Sequence, residues 1–300
     1  MRDKRTWAER LVLRVPFLWL TLFFLVPFLI VVKISFSQAA LSQPPYEPVL
    51  SFADGWMGLF EKLGMFSLSS YEMLWGDSLY LDAYLSSLRL GVLATLLTLL
   101  IGYPLAYAIA RAPEASRPAL LMLAIAPFWT SFLIRVYAWI AILKDEGLLN
   151  LALMKLGLIS EPLQIFATDW AVLIGLTYSY LPFMILPLYN AIERQPRELR
   201  EAAADLGAKP SAIFWRITVP LSRAGIVAGC LLVFIPSIGE FVIPDLLGGS
   251  NTLMIGKSLW VEFFDNRDWP VASAVAVVLL LLLLLPMALY ERSQMKGEAR

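Results

Sequence analysis

A chain of 300 residues in which 59% are hydrophobic and only 16% charged excludes a soluble single domain and assigns the protein to a lipid bilayer. Twenty-four basic and 24 acidic residues cancel to a net charge of zero, so overall charge points to no nucleic-acid or other polyanionic partner. Histidine is absent and Cys230 is the single cysteine, which excludes imidazole-dependent catalysis, a cysteine metal cluster and a disulfide framework.

A hydrocarbon core of about 30 Å takes about 20 apolar residues of helix, and six stretches satisfy that length. The first, Pro16 to Phe36, follows MRDKRTWAERLVLR. It is longer than a signal-peptide core and no small-residue cleavage site follows it, so it reads as a retained helix. A long outer connection, Ser37 to Ala83, contains the patches SQPPYEPVL and FADGWMGLF and is expected to form short helices at the membrane rim or over the mouth of the bundle. The remaining spans are Tyr84 to Ala110, Pro118 to Leu143, Trp170 to Ile192, Leu221 to Ile243 and Pro270 to Tyr290. Several contain proline (Pro27, Pro104, Pro127, Pro182, Pro187, Pro236, Pro286), which bundled membrane helices tolerate because neighbours satisfy the freed carbonyls. The divisions are therefore a tail and first span (1–36), an outer loop (37–83), a five-span core (84–292) containing an inner loop (194–220), and a short tail (293–300).

Cytoplasmic loops retain lysine and arginine. Arg2, Lys4, Arg5, Arg10 and Arg14 precede the first span, and Arg111 and Arg117 join the second to the third. Arg194, Arg197, Arg200, Lys209, Arg216 and Arg223 join the fourth to the fifth, and Arg292, Lys296 and Arg300 follow the sixth. The opposite loops hold only Lys62, Lys144, Lys155, Lys257 and Arg267 among many carboxylates. Both termini are expected in the cytoplasm, facing away from an acidic outer surface.

The inner loop can be built locally. Pro196 suits the start of a helix through RELREAAADL, with Glu198 and Glu201 towards its positive N-terminal end, and Gly207 supplies a left-handed stop. Pro210 opens a second helix, SAIFWRITV, whose Ile213, Phe214 and Ile217 make an apolar stripe, and Pro220 is expected to end it. Such a hairpin suits docking into a groove on a soluble partner, or packing against headgroups or its own bundle.

The spacing Glu201, Ala202, Ala203, Gly207, Ile217, Pro220 resembles the EAA loop of the permease subunits of bacterial ABC importers, with Val219 where leucine is usual. The resemblance implies an all-α, six-span permease of the type I fold, whose cytoplasmic loop couples to an ATPase: Glu201 as the charged contact, Ala202 and Ala203 as a close-packing surface, Gly207 as the turn. More widely, PFLIVVKISF, DAYLSSL, LIGYPLAYAIA, WTSFLIRVYAWIAILKDEGLLN, LVFIPSIGEFVIPDLLGG and NRDWPVASAVA resemble the permeases of polyamine importers, those for putrescine in particular. The partners this implies are a second homologous permease, two cytoplasmic ATPase subunits, which bind the ATP and Mg2+, and a periplasmic polyamine-binding protein, all at a bacterial inner membrane. No cofactor or metal is expected in this subunit, which also lacks a phosphate-binding G-x-x-x-x-G-K-[ST] loop.

A polyamine path needs carboxylates for ammonium groups and aromatic faces for the methylenes. Glu240 lies 17 residues beyond Arg223, roughly 26 Å along a helix. Pro236, Gly239, Pro244, Gly248 and Gly249 weaken helical continuity around it. Arg135, 17 residues beyond Pro118, reaches the same depth, with Arg89 near that level. Glu240 is therefore either a substrate contact or one half of a structural or gating pair with Arg135. Asp245, Asp145, Glu146 and Glu262 are expected near the exposed outer face, as an acidic funnel or docking contacts. Trp129, Tyr137, Trp139, Tyr178, Tyr180, Phe241 and Trp260 can supply aromatic faces or pack the bundle, and Lys33 is expected to snorkel. Rival readings are the same architecture carrying another small cation, an intramembrane enzyme, for which no carboxylate or serine pair is evident, and a scaffold, which leaves the EAA spacing unexplained.

Overall fold

The computed structural model describes residues 7–51, 55–250 and 252–298. Arg2, Lys4, Arg5, Arg300 and the first three residues of FADGWMGLF lie outside the described residues.

In chain order, α1 (Trp7–Leu20) continues through a wide turn at Thr21–Leu25 into α2 (Val26–Ser35), and a two-residue hairpin, β1 (Gln38–Ala39) with β2 (Tyr46–Glu47), follows. Then come α3 (Gly55–Leu63), α4 (Ser69–Gly76), α5 (Ser78–Arg111), α6 (Arg117–Ile125), a 3-10 turn at Ala126–Trp129, α7 (Phe132–Leu143), α8 (Leu148–Lys155) and α9 (Asp169–Glu193). The inner loop contains α10 (Arg197–Asp205), α11 (Pro210–Ile213), a π-turn at Phe214–Thr218 and α12 (Val219–Leu221). Beyond it lie α13 (Arg223–Ile238), α14 (Val242–Leu247), α15 (Ile255–Trp260), a π-turn at Val261–Asp265 and α16 (Trp269–Glu298). Among the described residues, Arg14–Ser35, Ser78–Arg111, Asp169–Glu193 and Trp269–Ala288 are long and apolar enough to cross a membrane. Two bent pairs bring the number to six: Arg117–Trp129 with Phe132–Lys155 at 87°, and Pro210–Leu221 with Arg223–Ile238 at 66°.

The expected third span, Pro118 to Leu143, is therefore not one straight helix. Pro127 has no N–H to donate, the chain tightens into the 3-10 turn, and Thr130 (ψ 154) and Ser131 (ψ 136) are non-helical before α7 restarts. The expected fifth span also stops short, because α13 ends at Ile238 and residues 239–241 separate it from α14. At the other end of the inner loop, Pro220 does not terminate its helix. It sits in the first turn of α12, and the bend falls at Ser222.

The chain divides into two compact units, Met1–Leu81 with Leu259–Leu282, and Asp82–Ser258 with Leu283–Arg300. In the first, the outer connection contains the short helices expected, together with the hairpin. Lys33 bonds the Pro48 carbonyl while lying 4.3 Å from the centre of the Tyr46 ring, and Ser35 Oγ is 2.7 Å from Tyr71 Oη. Glu262 is half-buried rather than free at the surface: Tyr80 donates to it at 2.9 Å and Asn266 at 2.9 Å. Beside it Phe263 stacks on Trp269 with ring centres 4.9 Å apart.

The second unit is organised around α9 and α13, which glycines bring into close contact. A Cβ built on Gly225 would lie 2.5 Å from the Ala191 methyl and 2.6 Å from the Pro187 carbonyl oxygen, and one on Gly229 would lie 2.7 Å from Met184 Sδ. Met184, Ile185, Leu188 and Ile192 of α9 are buried there with Val233 of α13 and Tyr103, Ala106 and Ile109 of α5. A second cluster, nearer the start of α9, joins Leu90 and Ala94 of α5, Val136 and Leu143 of α7, Val172 and Leu176 of α9, and Ile243 and Leu247 of α14. Small residues at such crossings let backbones approach closely where lipid supplies no hydrophobic drive.

Candidate functional site

Two regions of the second unit carry the residues that sequence pointed to. At the inner loop, extended Pro196 (ψ 130) leads into α10, and Gly207 adopts φ +80°. The Ala208 N–H bonds the Ala203 carbonyl at 3.0 Å and the Gly207 N–H bonds that of Ala204 at 2.8 Å, the double bond pattern that closes a helix on a left-handed residue. α10 leaves Glu201 and Ala202 exposed, with Ala203 half-buried, and its Leu206 is 89% exposed. A leucine so open at the end of a charged helix marks a face that none of the described residues covers.

The apolar stripe of the second helix, a candidate for a partner's groove, is used within the chain instead. Ile213, Phe214 and Ile217 are half-buried. Phe214 presents edge-on contacts to Tyr103 (5.6 Å, 87°) and Tyr107 (5.5 Å, 85°), one turn apart on α5. Pro220 is half-buried. Around the hairpin, Arg197 pairs with Glu114 at 3.1 Å and Arg111 lies over the Tyr107 ring. Burial, with Arg111 close by, lowers the Arg200 guanidinium below its ordinary range.

The second region lies at the break between α13 and α14. Tyr180 of α9 donates to Glu240 Oε2 at 2.6 Å, and the Val242 N–H donates to Oε1 at 3.1 Å, so the carboxylate caps α14 while being tied to α9. Arg135 does not pair with Glu240. It is buried among aromatic rings, 5.0 Å from the centre of Phe128 and 5.7 Å from that of Phe132, and its Nε has no hydrogen-bond partner among the described residues. The 87° bend before α7 removes the depth match that a straight third span would give. Arg89 is engaged too, as the ion-pair partner of Asp169. Arg135 and Glu240 instead stand at the two ends of a run of rings, with Phe128 edge-on to Phe183 (5.2 Å) and Phe183 6.1 Å from Tyr180.

Phe241 is half-buried beside Glu240 in the break. Tyr178 is edge-on to Trp139 at 5.4 Å, in a separate pair, and Asp245 is exposed and bridged by Lys257 at 3.2 Å. Trp129 is 75% and Tyr137 58% exposed, so neither joins the ring run.

The sequence profile of the binding-protein-dependent transport system inner membrane component family matches residues 3–294, almost the whole chain. The protein belongs to that family. This inner membrane component is 45% identical over 229 residues to the spermidine/putrescine transport system permease protein of Salmonella typhimurium, covering 76% of this chain and 79% of that one. It is 39% identical over 285 residues to its counterpart from Haemophilus influenzae, covering 95% and 93%. Among solved structures, a bacterial alginate ABC transporter in complex with an alginate pentasaccharide-bound periplasmic protein aligns with a TM-score of 0.67 at 19% identity, over 96% of each chain. The inner membrane component therefore has the multi-pass, predominantly helical fold of ABC importer permeases and is a transport subunit rather than an enzyme.

Sequence reasoning missed which donor would hold Glu240. Tyr180 stood among the aromatic candidates, but 60 residues separate the two and no local pattern joins them. It missed equally that Tyr103 and Tyr107 would clamp Phe214, although their spacing of four on α5 places them on one helix face.

Proposed function

We propose that this chain forms half of the membrane pathway of an ATP-driven polyamine importer, with Glu240 as a contact for a substrate ammonium group. The observation that carries the substrate reading is the state of that carboxylate. It is held in a helix break by one phenol and one amide, both neutral, and among the described residues no cation lies in salt-bridge range of it. A carboxylate at such a position calls for a positive partner, and the rings of Tyr180, Phe183 and Phe128 lead from it as faces for a methylene chain with charged ends. The names of the 45% and 39% identical relatives agree with this substrate class.

On this reading α10 and its turn seat on a cytoplasmic ATPase, with Glu201, Ala202 and Ala203 at the contact, Gly207 fixing the turn, and Ile217 and Pro220 joining it to the bundle. Two copies of that ATPase bind ATP and Mg2+, a second homologous permease completes the pathway, and a periplasmic binding protein delivers substrate. Both termini face the cytoplasm, in keeping with the basic residues of the inner loops. Asp245 contributes to the acidic outer mouth.

Glu240→Gln tests the substrate contact. The amide retains an acceptor for Tyr180 or Val242, so the break is preserved while the charge is lost. In reconstituted complexes the half-saturating putrescine or spermidine concentration is expected to rise by at least about tenfold, the scale of a lost charge-assisted contact. Unchanged affinity with normal assembly would remove Glu240 from the pathway. Competition among diamines and triamines then defines the preferred chain length.

A further inference from the structure

The bend at Ser222 is a joint where three elements meet, and its hydrogen bonding is incomplete. Ser222 is fully buried and its Oγ donates to the Val219 carbonyl at 3.0 Å. The 2.8 Å contact between Tyr103 Oη and Ser222 Oγ is then a bond in which Tyr103 donates, linking α5 to the vertex of the bend. From the end of α9, Gln195 Nε2 donates to the Thr218 carbonyl at 3.0 Å, the same carbonyl that accepts from the Ser222 N–H at 3.0 Å. The Tyr103–Phe214–Tyr107 clamp fixes the hairpin about two turns before the vertex.

Two polar atoms at this joint are left over. Gln195 Oε1 and Thr218 Oγ1 are both buried and, among the described residues, without a hydrogen-bond partner. One is an acceptor and the other a hydroxyl with a proton to give, so they are chemically complementary yet unpaired. Buried polar groups are nearly always satisfied, and a complementary pair left open beside an existing bond describes a joint with a second arrangement close by. A small displacement of the π-turn towards Gln195 would let the Thr218 hydroxyl donate to Gln195 Oε1 while Tyr103 keeps hold of Ser222. The π-turn supplies the slack, since wide turns inside helices recur at functional positions.

We propose that Tyr103 and Gln195 are positioning residues for transport: they hold the Ser222 joint so that displacement of the cytoplasmic hairpin becomes a tilt of α13. The inference rests on the reading of α10 as the ATPase contact. Tyr103 is the fixed point on α5, Gln195 and Thr218 form the pair that switches, and α13 is the arm that moves.

The test uses the complete importer in proteoliposomes, with putrescine taken up per ATP hydrolysed as the readout, at equal amounts of assembled complex. Tyr103→Phe removes one hydroxyl and Gln195→Met removes both polar atoms at similar volume. Each is expected to lower the uptake-to-hydrolysis ratio by about fivefold, the scale of one buried hydrogen bond. Thr218→Val is the control for plain structural damage, since it deletes an atom that makes no bond at rest. It should leave the thermal midpoint of the complex unlowered while still depressing the ratio. A ratio that stays at the wild-type value in all three, or a loss of uptake that only follows the amount of complex assembled, overturns the proposal. Crosslinking from Ser211→Cys in the exposed hairpin reports separately on ATPase contact. If it captures no nucleotide hydrolase, the coupling reading fails and the inference with it; if it captures one and the ratios do not move, the inference alone fails.

Discussion

Alanine at Gly225 and alanine at Gly229 should have opposite consequences, although the two positions lie one helical turn apart on the same face of α13. At Gly225 the new methyl would meet the Ala191 methyl at 2.5 Å and the Pro187 carbonyl oxygen at 2.6 Å. Both belong to the backbone or to its first side-chain atom, so α9 itself has to retreat. Overpacking of this kind costs about 1–3 kcal/mol. Replacing glycine by alanine in a helix returns up to about 1 kcal/mol, so Gly225→Ala, with both contacts on or next to backbone and hence at the upper end of that cost, should be destabilising by about 2 kcal/mol. At Gly229 the nearest atom is Met184 Sδ at 2.7 Å, near the end of a flexible side chain, with the next contact at 3.4 Å. A thioether can turn aside at small cost, and the helix-propensity gain should leave Gly229→Ala neutral or slightly stabilising. Thermal unfolding of the detergent-solubilised complex, followed by monodisperse elution after heating, reads both variants. The expected result is a midpoint several degrees lower for Gly225→Ala and unchanged or higher for Gly229→Ala. Equal midpoints, or a larger loss at Gly229, would refute the idea that backbone contact between α9 and α13 sets the limit.

Asn150 is 1% exposed and ties two loops, donating to the Lys144 carbonyl at 3.3 Å and the Leu163 carbonyl at 3.0 Å while accepting from the Leu163 N–H at 2.9 Å. Asn150→Ala takes away the acceptor of the Leu163 N–H, while the Leu163 carbonyl keeps its bond from the Ile165 N–H at 3.0 Å, a loss of about 1 kcal/mol, the scale of one hydrogen bond. Faster cleavage at exposed Glu161 by a glutamate-specific protease should report it, and an unchanged rate would mean that the pin is dispensable. Asp268 caps α16 through the Val271 N–H at 3.0 Å, yet burial, together with Glu262, raises its carboxyl above the ordinary range. Because the folded state holds that proton more tightly than the unfolded one, this residue's contribution to stability falls as pH rises from the ordinary aspartate pKa through its raised value. Asp268→Asn keeps the cap and should flatten that part of the pH–stability profile; an identical slope in the variant would contradict the assignment.

The inner hairpin was legible because its signals are local. Pro196, Gly207 and Pro210 dictate where a short helix starts, stops and restarts, and the structure follows them residue by residue. What stayed hidden was which face is used. Ile213, Phe214 and Ile217 look like a free apolar stripe until Tyr103 and Tyr107, more than 100 residues earlier, are seen around Phe214. The Glu240–Arg135 pairing failed for a related reason. Counting residues gives depth only along a straight helix, and the 3-10 turn at Pro127 followed by extended Thr130 and Ser131 breaks the ruler. The glycines and prolines around Glu240 did point to an interruption, and residues 239–241 interrupt the helix there.

The bond from Tyr180 to Glu240 ties α9 to the break that follows α13, the helix that Gly225 and Gly229 press against α9. α9 and α13 are thus fastened along their shared seam and again just past the end of α13, and prising them apart would have to break a charged contact and a glycine-lined seam at once. A displacement imposed on one of the two helices is therefore handed on to the other, and the pair behaves as a single plank.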